Sequence, residues 1–415
     1  MENQYFDKQL RSLMEILSSD YAGLARGTKI APFQFYVQAA GVAWREGRLD
    51  ALLFVRYVNQ LLATTGDRSL RFSLFSSAYT PFYPGFDVRR VEDALYVTHV
   101  WQEGRLQKGD KILRVNSLSP LELKKSFQQD FLYGKTPERE LWGGVLKMAD
   151  HCLVEHRDGK VEDLPLHKYP GKRPLPETSL REMGSSLYVG LGNRVPEDIS
   201  GVLVGKEKVI LDLRGAQVST AEEYLPLVPF ILSGKKSMKE LVGRQRLKVL
   251  YSRGNVARRL ALLETLPKPL PDFLAALHEK LSHQKYFGWE EEEFSLWEDM
   301  EEEIVPWEGE TILLIDTWVE GENETFVSWA KKEGRAKILG RPTMGTLDYT
   351  FPVSVKLSPS TVFTYPMAIT EEAAEGRGML GKGIMPDTYL PFTMEECEED
   401  ILLHLALGNH EGSVI

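Results

Sequence analysis

The sequence predicts an α/β, multidomain protein in which an N-terminal helical unit and a β-rich module precede an α/β core. Three observations carry this expectation. Apolar residues recur at helical spacing from Phe6 to about Phe75. Strand-like runs at 95–101 and 111–116 then flank a stretch rich in turn residues. Beyond the Pro-rich connector at 169–174, short continuous apolar runs alternate with helical segments, the mark of strands covered on both faces.

Taken in order, Phe6, Leu10, Leu13 and Leu17, then Leu49, Leu52, Leu53, Val55, Val58, Leu61 and Leu62, predict helices. Thr65-Gly66-Asp67 is a turn signal, after which 70–74 alternates like a half-buried strand. Residues 137–149 read as one helix. His99 lacks a His or Cys partner at metal spacing and is expected to be an ordinary strand residue. In the core, 187–191, 209–213, 312–315 and 338–339 are the predicted strands, with 209–213 and 312–315 as buried neighbours. Ser219-Thr220-Ala221-Glu222 has capping-box spacing and opens 224–232, where Pro226 and Pro229 oppose a straight helix. Residues 324–333 form a helix with Phe326, Val327 and Ala330 inward and Gly334 as its stop. Residues 242–307 read as an insertion. Its acidic, aromatic stretch at 289–303 is either a docking surface for a basic partner or a solvated face with Phe294 and Trp297 packed down.

The composition excludes several functions. Against 60 Asp+Glu stand 50 Lys+Arg, a net charge of −10 that argues against nucleic-acid binding. Cys152 and Cys397 make neither a disulfide framework nor a zinc site, and no metal or cofactor is expected. No apolar run approaches the roughly 20 residues that cross a bilayer. The first residues lack a basic start and an apolar stretch, so no membrane segment and a cytoplasmic location are expected. Ser233-Gly-Lys-Lys236 fits S-x-x-K without its companion motifs. The glycines of 376–383 approach a phosphate loop, but Gly383 stands where Ser or Thr would hold magnesium and Pro386 follows, so a structural turn is expected.

Three segments fall in a telling order: Asp212-Leu213-Arg214-Gly215, Gly340-Arg341-Pro342-Thr343-Met344-Gly345 and Gly381-Lys382-Gly383-Ile384-Met385-Pro386-Asp387. Together they resemble the tail-specific, or C-terminal processing, serine peptidases. Gly85-Phe86 and 103–116 resemble the PDZ domain that many members carry, and the resemblance covers most of 80–410. It implies an N-terminal helical domain at 1–80, a PDZ-like domain at 82–168 and a core of the tail-specific protease (ClpP/crotonase-like) type at 175–415, with the insertion at 242–307. It also implies that a peptide or protein C-terminus enters a groove at Tyr83, Gly85, Phe86 and Val88, and it allows a homo-oligomer.

The same resemblance exposes departures. The family places a nucleophilic Ser three residues before a Glu that opens a helix, and a Lys just after the G-x-x-T-x-G turn. Here Gly321 and Thr346 occupy those positions. Glycine supplies no nucleophile and a threonine hydroxyl is no base near neutral pH. The oxyanion-loop equivalent, Gly215 and Ala216 followed by Gln217-Val218-Ser219, lacks the family's Asn and Gly pair, and Val218 resists positive φ. Ser69 stands where some relatives carry a His. The expectation is therefore a pseudopeptidase that holds peptide without cleaving it. The alternative is an active serine-type peptidase acting on unstructured or C-terminal segments with a relocated nucleophile, Ser328 foremost, or through Thr325, Thr317 or Lys331.

Overall fold

In the computed structural model the described residues are 2–25, 27, 38, 41–43, 45–47, 49–75, 81–126, 136–285, 287–295 and 297–408. The chain forms two compact units. One comprises Met1–Tyr79, Arg244–Leu296 and Thr346–Leu380; the other comprises Thr80–Gly243, Trp297–Gly345 and Gly381–Ile415. Among the described residues no helix is long and apolar enough to cross a membrane.

In the first unit, the apolar stripes of helices Glu2–Ser19 and Ala51–Ala63 cover a five-stranded sheet. Leu13, Leu17, Phe54 and Leu62 meet Phe72, Phe363 and Tyr365 there. Asp50 caps the second helix by accepting the Leu53 N–H at 2.7 Å. In the turn that follows, Asp67 accepts the amide and hydroxyl of Ser69 and the hydroxyl of Tyr21. Ser69 thus serves the turn. The acidic stretch contributes the edge strand Gly288–Phe294, antiparallel to Gln245–Tyr251. Opposite charges face across the pair: Arg246 lies 3.4 Å from Glu293, and Lys248 lies 3.2 Å from Glu291. Lys280 reaches Glu290 at 3.0 Å and Glu292 at 2.8 Å from a helix. The run of glutamates is a charge-laced strand edge, a device that blocks edge-to-edge pairing. The side chain of Phe294 lies outside the described residues.

The second unit holds two larger sheets, besides the antiparallel two-stranded pair Phe82–Tyr83 and Tyr169–Pro170. The first is an antiparallel meander of β1 (Phe86–Val91), β2 (Ala94–Val100), β3 (Lys111–Val115), β4 (His151–Glu155) and β5 (Val161–Pro165), with β1 at one edge. Phe86, Val88, Val97, Ile112, Trp142 and Val154 fill its core. The single helix expected over 137–149 is instead a turn of 3₁₀ helix, Pro137–Arg139, and a separate helix, Gly143–Met148. Glu140 breaks the helix by turning extended, with ψ of 125°. The cause is tertiary: its buried carboxylate accepts from Nε and Nη2 of Arg90 at 2.6 and 2.7 Å, from Lys124 at 2.7 Å and from the Trp142 indole at 3.1 Å. Bonds of that strength outweigh one helical turn.

The second sheet comprises β6 (Ser179–Met183), β7 (Ser186–Gly190), β8 (Lys208–Asp212), β9 (Glu310–Ile315), β10 (Lys337–Gly340) and β11 (Thr388–Tyr389), in the order β11-β10-β9-β8-β7-β6. Only β6 is antiparallel to its neighbour. Strands β8 and β9 are buried neighbours, Ile210 facing Ile312 and Leu211 facing Leu313, as their apolar runs predict. The capping box lies one residue beyond its expected place: Thr220 pairs with Glu223, and the prolines leave a 3₁₀ helix, Ala221–Leu227, before Val228–Ile231. Trp297 is packed down against Trp329. Leu313→Ala is expected to cost about 2–5 kcal/mol in urea unfolding, because the cavity is central, whereas Leu262→Ala, at 63% exposure, should cost little.

Candidate functional site

Strand β9 ends at Ile315, and the chain turns through 316–321 into the helix Glu322–Glu333. Gly321, the residue before that helix, has φ of 59° and ψ of −130° and is exposed, with no atom within 4 Å of where a Cβ would lie. Backbone conformation rather than crowding therefore requires the glycine. The next two buried side chains tie the helix to its surroundings. Asn323 Oδ1 accepts the Val218 N–H at 3.0 Å and the Tyr224 hydroxyl at 2.8 Å, while its amide donates to Glu320 O at 2.9 Å. Glu324, fully buried, accepts the Gly345 N–H at 2.7 Å and the Thr343 hydroxyl. Thr343 Oγ1 in turn accepts the Ile384 N–H at 2.7 Å. A Cβ at Gly383 would lie 1.9 Å from the Thr343 carbonyl oxygen, so that glycine permits a close backbone crossing. The segments 212–218, 340–345 and 381–387, recognised separately in the sequence, thus meet at the start of one helix.

From Ala216 to Thr220 the loop after β8 is internally satisfied. The Ala216 N–H donates to Leu213 O at 3.0 Å and that of Gln217 to Gly192 O at 2.8 Å. Val218 donates to Asn323, and Ser219 and Thr220 each donate to Glu223 Oε1 at 3.2 Å. Five successive amides therefore point at protein acceptors. An oxyanion hole needs such donors aimed at a reacting oxygen. Gly215 lines a cleft of about 440 Å³ at the carboxyl ends of β7 to β10, where ligands of parallel sheets commonly bind. Three arginines of its wall are paired: Arg214 bridges Asp212 and Asp400, Arg89 lies 2.5 Å from Asp316, and Arg341 bonds Glu396. Burial lowers the pKa of Arg341 against the pull of Glu396. His99, read as an ordinary strand residue, lies in β2, stacks on Trp101 and lines this cleft.

The substitute nucleophiles are engaged elsewhere. The Ser328 hydroxyl donates to Thr325 O at 2.7 Å within its own helix, and that of Thr317 donates to Glu138 O at 2.8 Å. The Thr325 hydroxyl reaches Gly321 O at 3.4 Å, and Lys331 pairs with Asp387 at 2.5 Å. Ser233 and Lys236 share the Glu333 carboxylate and do not bond each other. Thr346 opens a segment of the other unit.

A second concavity, of about 240 Å³, lies between edge strand β1 and the helix Gly143–Met148. Tyr83, Phe86 and Val88 line it, together with Leu141, Leu146 and Trp318. Gly85 stands just before β1, and its carbonyl accepts the amides of Trp101, Gln102 and Glu103 at 2.8, 3.0 and 3.2 Å. Sequence reasoning missed Arg139, which donates to the carbonyls of Thr343, Met344 and Lys382. Nothing in its sequence neighbourhood signals that role, since every partner is more than 200 residues away.

No family model and no curated protein sequence matches the chain. Solved structures do. Mature CPAF complexed with lactacystin superposes with a TM-score of 0.65 at 13% identity, covering 97% of this chain and 98% of that one. Mature CPAF alone gives 0.62 at 12% identity, covering 99% of each chain. The photosystem II D1 C-terminal processing protease covers 96% of this chain and 97% of its own at 11% identity, with a TM-score of 0.41 too low to support residue correspondences. At such identities the CPAF likeness shows the fold alone, and the expected α/β, multidomain architecture is borne out.

Two outcomes follow from the helix start. Glu324→Ala would orphan the Gly345 amide and the Thr343 hydroxyl, at about 1–3 kcal/mol for each buried donor, and should lower the urea midpoint accordingly. Burial, with Glu222 adding repulsion, raises the pKa of Glu322. Its folded value then exceeds the unfolded one, near 4.3, so its ionisation destabilises the fold at pH 7 and this cost fades as pH falls. Glu322→Gln is expected to raise stability at pH 7, with the gain gone near pH 4 in the same titration.

Proposed function

We propose that the protein binds the ends of polypeptide chains and does not hydrolyse them: a pseudopeptidase on the fold of the C-terminal processing peptidases. The observation that carries this is the loop at 216–220, whose five amides already donate within the protein, beside a helix start where Gly321 offers no hydroxyl. Losing one member of a catalytic unit costs about a million-fold in rate in well-studied hydrolases, and here the nucleophile is wanting and the amides from Ala216 to Thr220 are taken.

Binding rests on the module at 82–168, which we take as PDZ-like. Strand β1 has one unpaired edge, and an apolar groove separates it from the helix Gly143–Met148. An extended chain adds to such an edge through main-chain hydrogen bonds, with side-chain pockets giving choice. Phe86 and Val88 would floor the pocket for the last side chain, and the turn at Tyr83 to Phe86 would receive the chain terminus. A cytoplasmic location belongs to the same reading.

Incubation with an unstructured polypeptide, followed by mass spectrometry of new termini, tests the claim. No cleavage is expected from the wild type. Gly321→Ser is expected to stay inactive and to lose about 1–3 kcal/mol of stability, because serine at φ of 59° is strained. Cleavage by the wild type that disappears in Ser328→Ala would instead establish a relocated nucleophile.

A further inference from the structure

The groove beside β1 carries one charge that its surroundings leave unanswered. Lys147 lines it, on the helix Gly143–Met148. The neighbouring cations each have an anion: Arg89 with Asp316 at 2.5 Å, Arg90 with Glu140 at 2.6 Å, Lys124 with Glu140 at 2.7 Å and Arg173 with Asp87 at 3.2 Å. Among the described residues no carboxylate pairs with Lys147. Its residue surface is exposed, yet desolvation around the ammonium group lowers its pKa, with no charged neighbour contributing. The hydroxyl of Tyr83, in the same groove and buried, also has no hydrogen-bond partner. An apolar slot with one desolvated, unpaired ammonium favours a ligand that brings its own anion.

We propose that the chain held along β1 carries an acidic side chain, Asp or Glu, that pairs with Lys147, making Lys147 a specificity-determining residue of the groove. The inference rests on the peptide-binding reading given above. The occupant is thus an extended peptide whose apolar last residue fills the pocket of Phe86, Val88 and Leu146 and whose acidic residue lies within the preceding few positions. Side chains alternate across an added strand, so a single position should face the helix that bears Lys147.

The test uses fluorescent octapeptides with an apolar last residue and one Glu or Gln at each of the four preceding positions, each made with a free and an amidated C-terminus. At one position, Glu should bind about tenfold more tightly than Gln, the worth of a partly desolvated ion pair of about 1.4 kcal/mol, and the margin should shrink at high salt. Lys147→Met should erase the margin, Lys147→Arg should retain it, and Lys147→Glu should favour a peptide with Lys at that position. Lys147 is exposed as a residue, so these variants are expected to fold, which urea unfolding checks. Equal binding of Glu and Gln peptides at every position overturns the inference while leaving the groove intact. So does a Lys147→Met effect that follows amidation of the terminus rather than the Glu. Failure of every peptide to bind the wild type overturns the groove reading itself, and the inference with it.

Discussion

The buried carboxylate of Glu324 holds together what the chain keeps far apart. It sits in the first turn of the helix Glu322–Glu333, where the helix dipole favours negative charge, and it receives an amide and a hydroxyl from the turn after β10. Thr343 passes the connection on to Ile384, and Gly383 lets the two backbones cross. Arg139 closes the arrangement from the other side by donating to three carbonyls of the same two segments. A charged acceptor with no exposure must be satisfied by such donors, so each of these residues constrains the others.

The same helix start also engages the loop after β8. Asn323, next to Glu324, takes the Val218 amide, and Glu223 takes the two that follow Val218. Each of these bonds commits a loop amide to an acceptor within the protein. A fold shared with CPAF at 12–13% identity therefore fixes where strands and loops lie without fixing what they do. The groove at β1 is a different case, because its edge is left unpaired and its lysine unanswered.

Much of the architecture was legible, for reasons that particular residues make plain. The runs around Leu211 and Leu313 are continuous because both faces of the parallel sheet are covered. Glu322–Glu333 announced itself by its apolar spacing and by Gly334. Long-range bonds were not legible. Glu140 breaks a helix that local propensity would extend, because Arg90 and Lys124 reach it from other elements. The acidic stretch could not be told from a docking surface until Arg246, Lys248 and Lys280 were found facing it. At the site, the positions of Gly321 and Gly215 were readable from motifs, but the engagement of the amides between Ala216 and Thr220 was not, since it depends on Gly192 and Asn323.

The central claim is that the proposed pseudopeptidase withholds the amides of Ala216 to Thr220 from a developing oxyanion, and the most direct measurement is the affinity ratio of a peptide boronate to the same peptide with an ordinary carboxylate. A working oxyanion hole and nucleophile bind such a transition-state mimic about a hundredfold or more tightly than the ground-state peptide. The expected ratio here is close to one, with no covalent adduct by mass spectrometry. A hundredfold preference for the boronate, with an adduct on any hydroxyl of the protein, would contradict the claim.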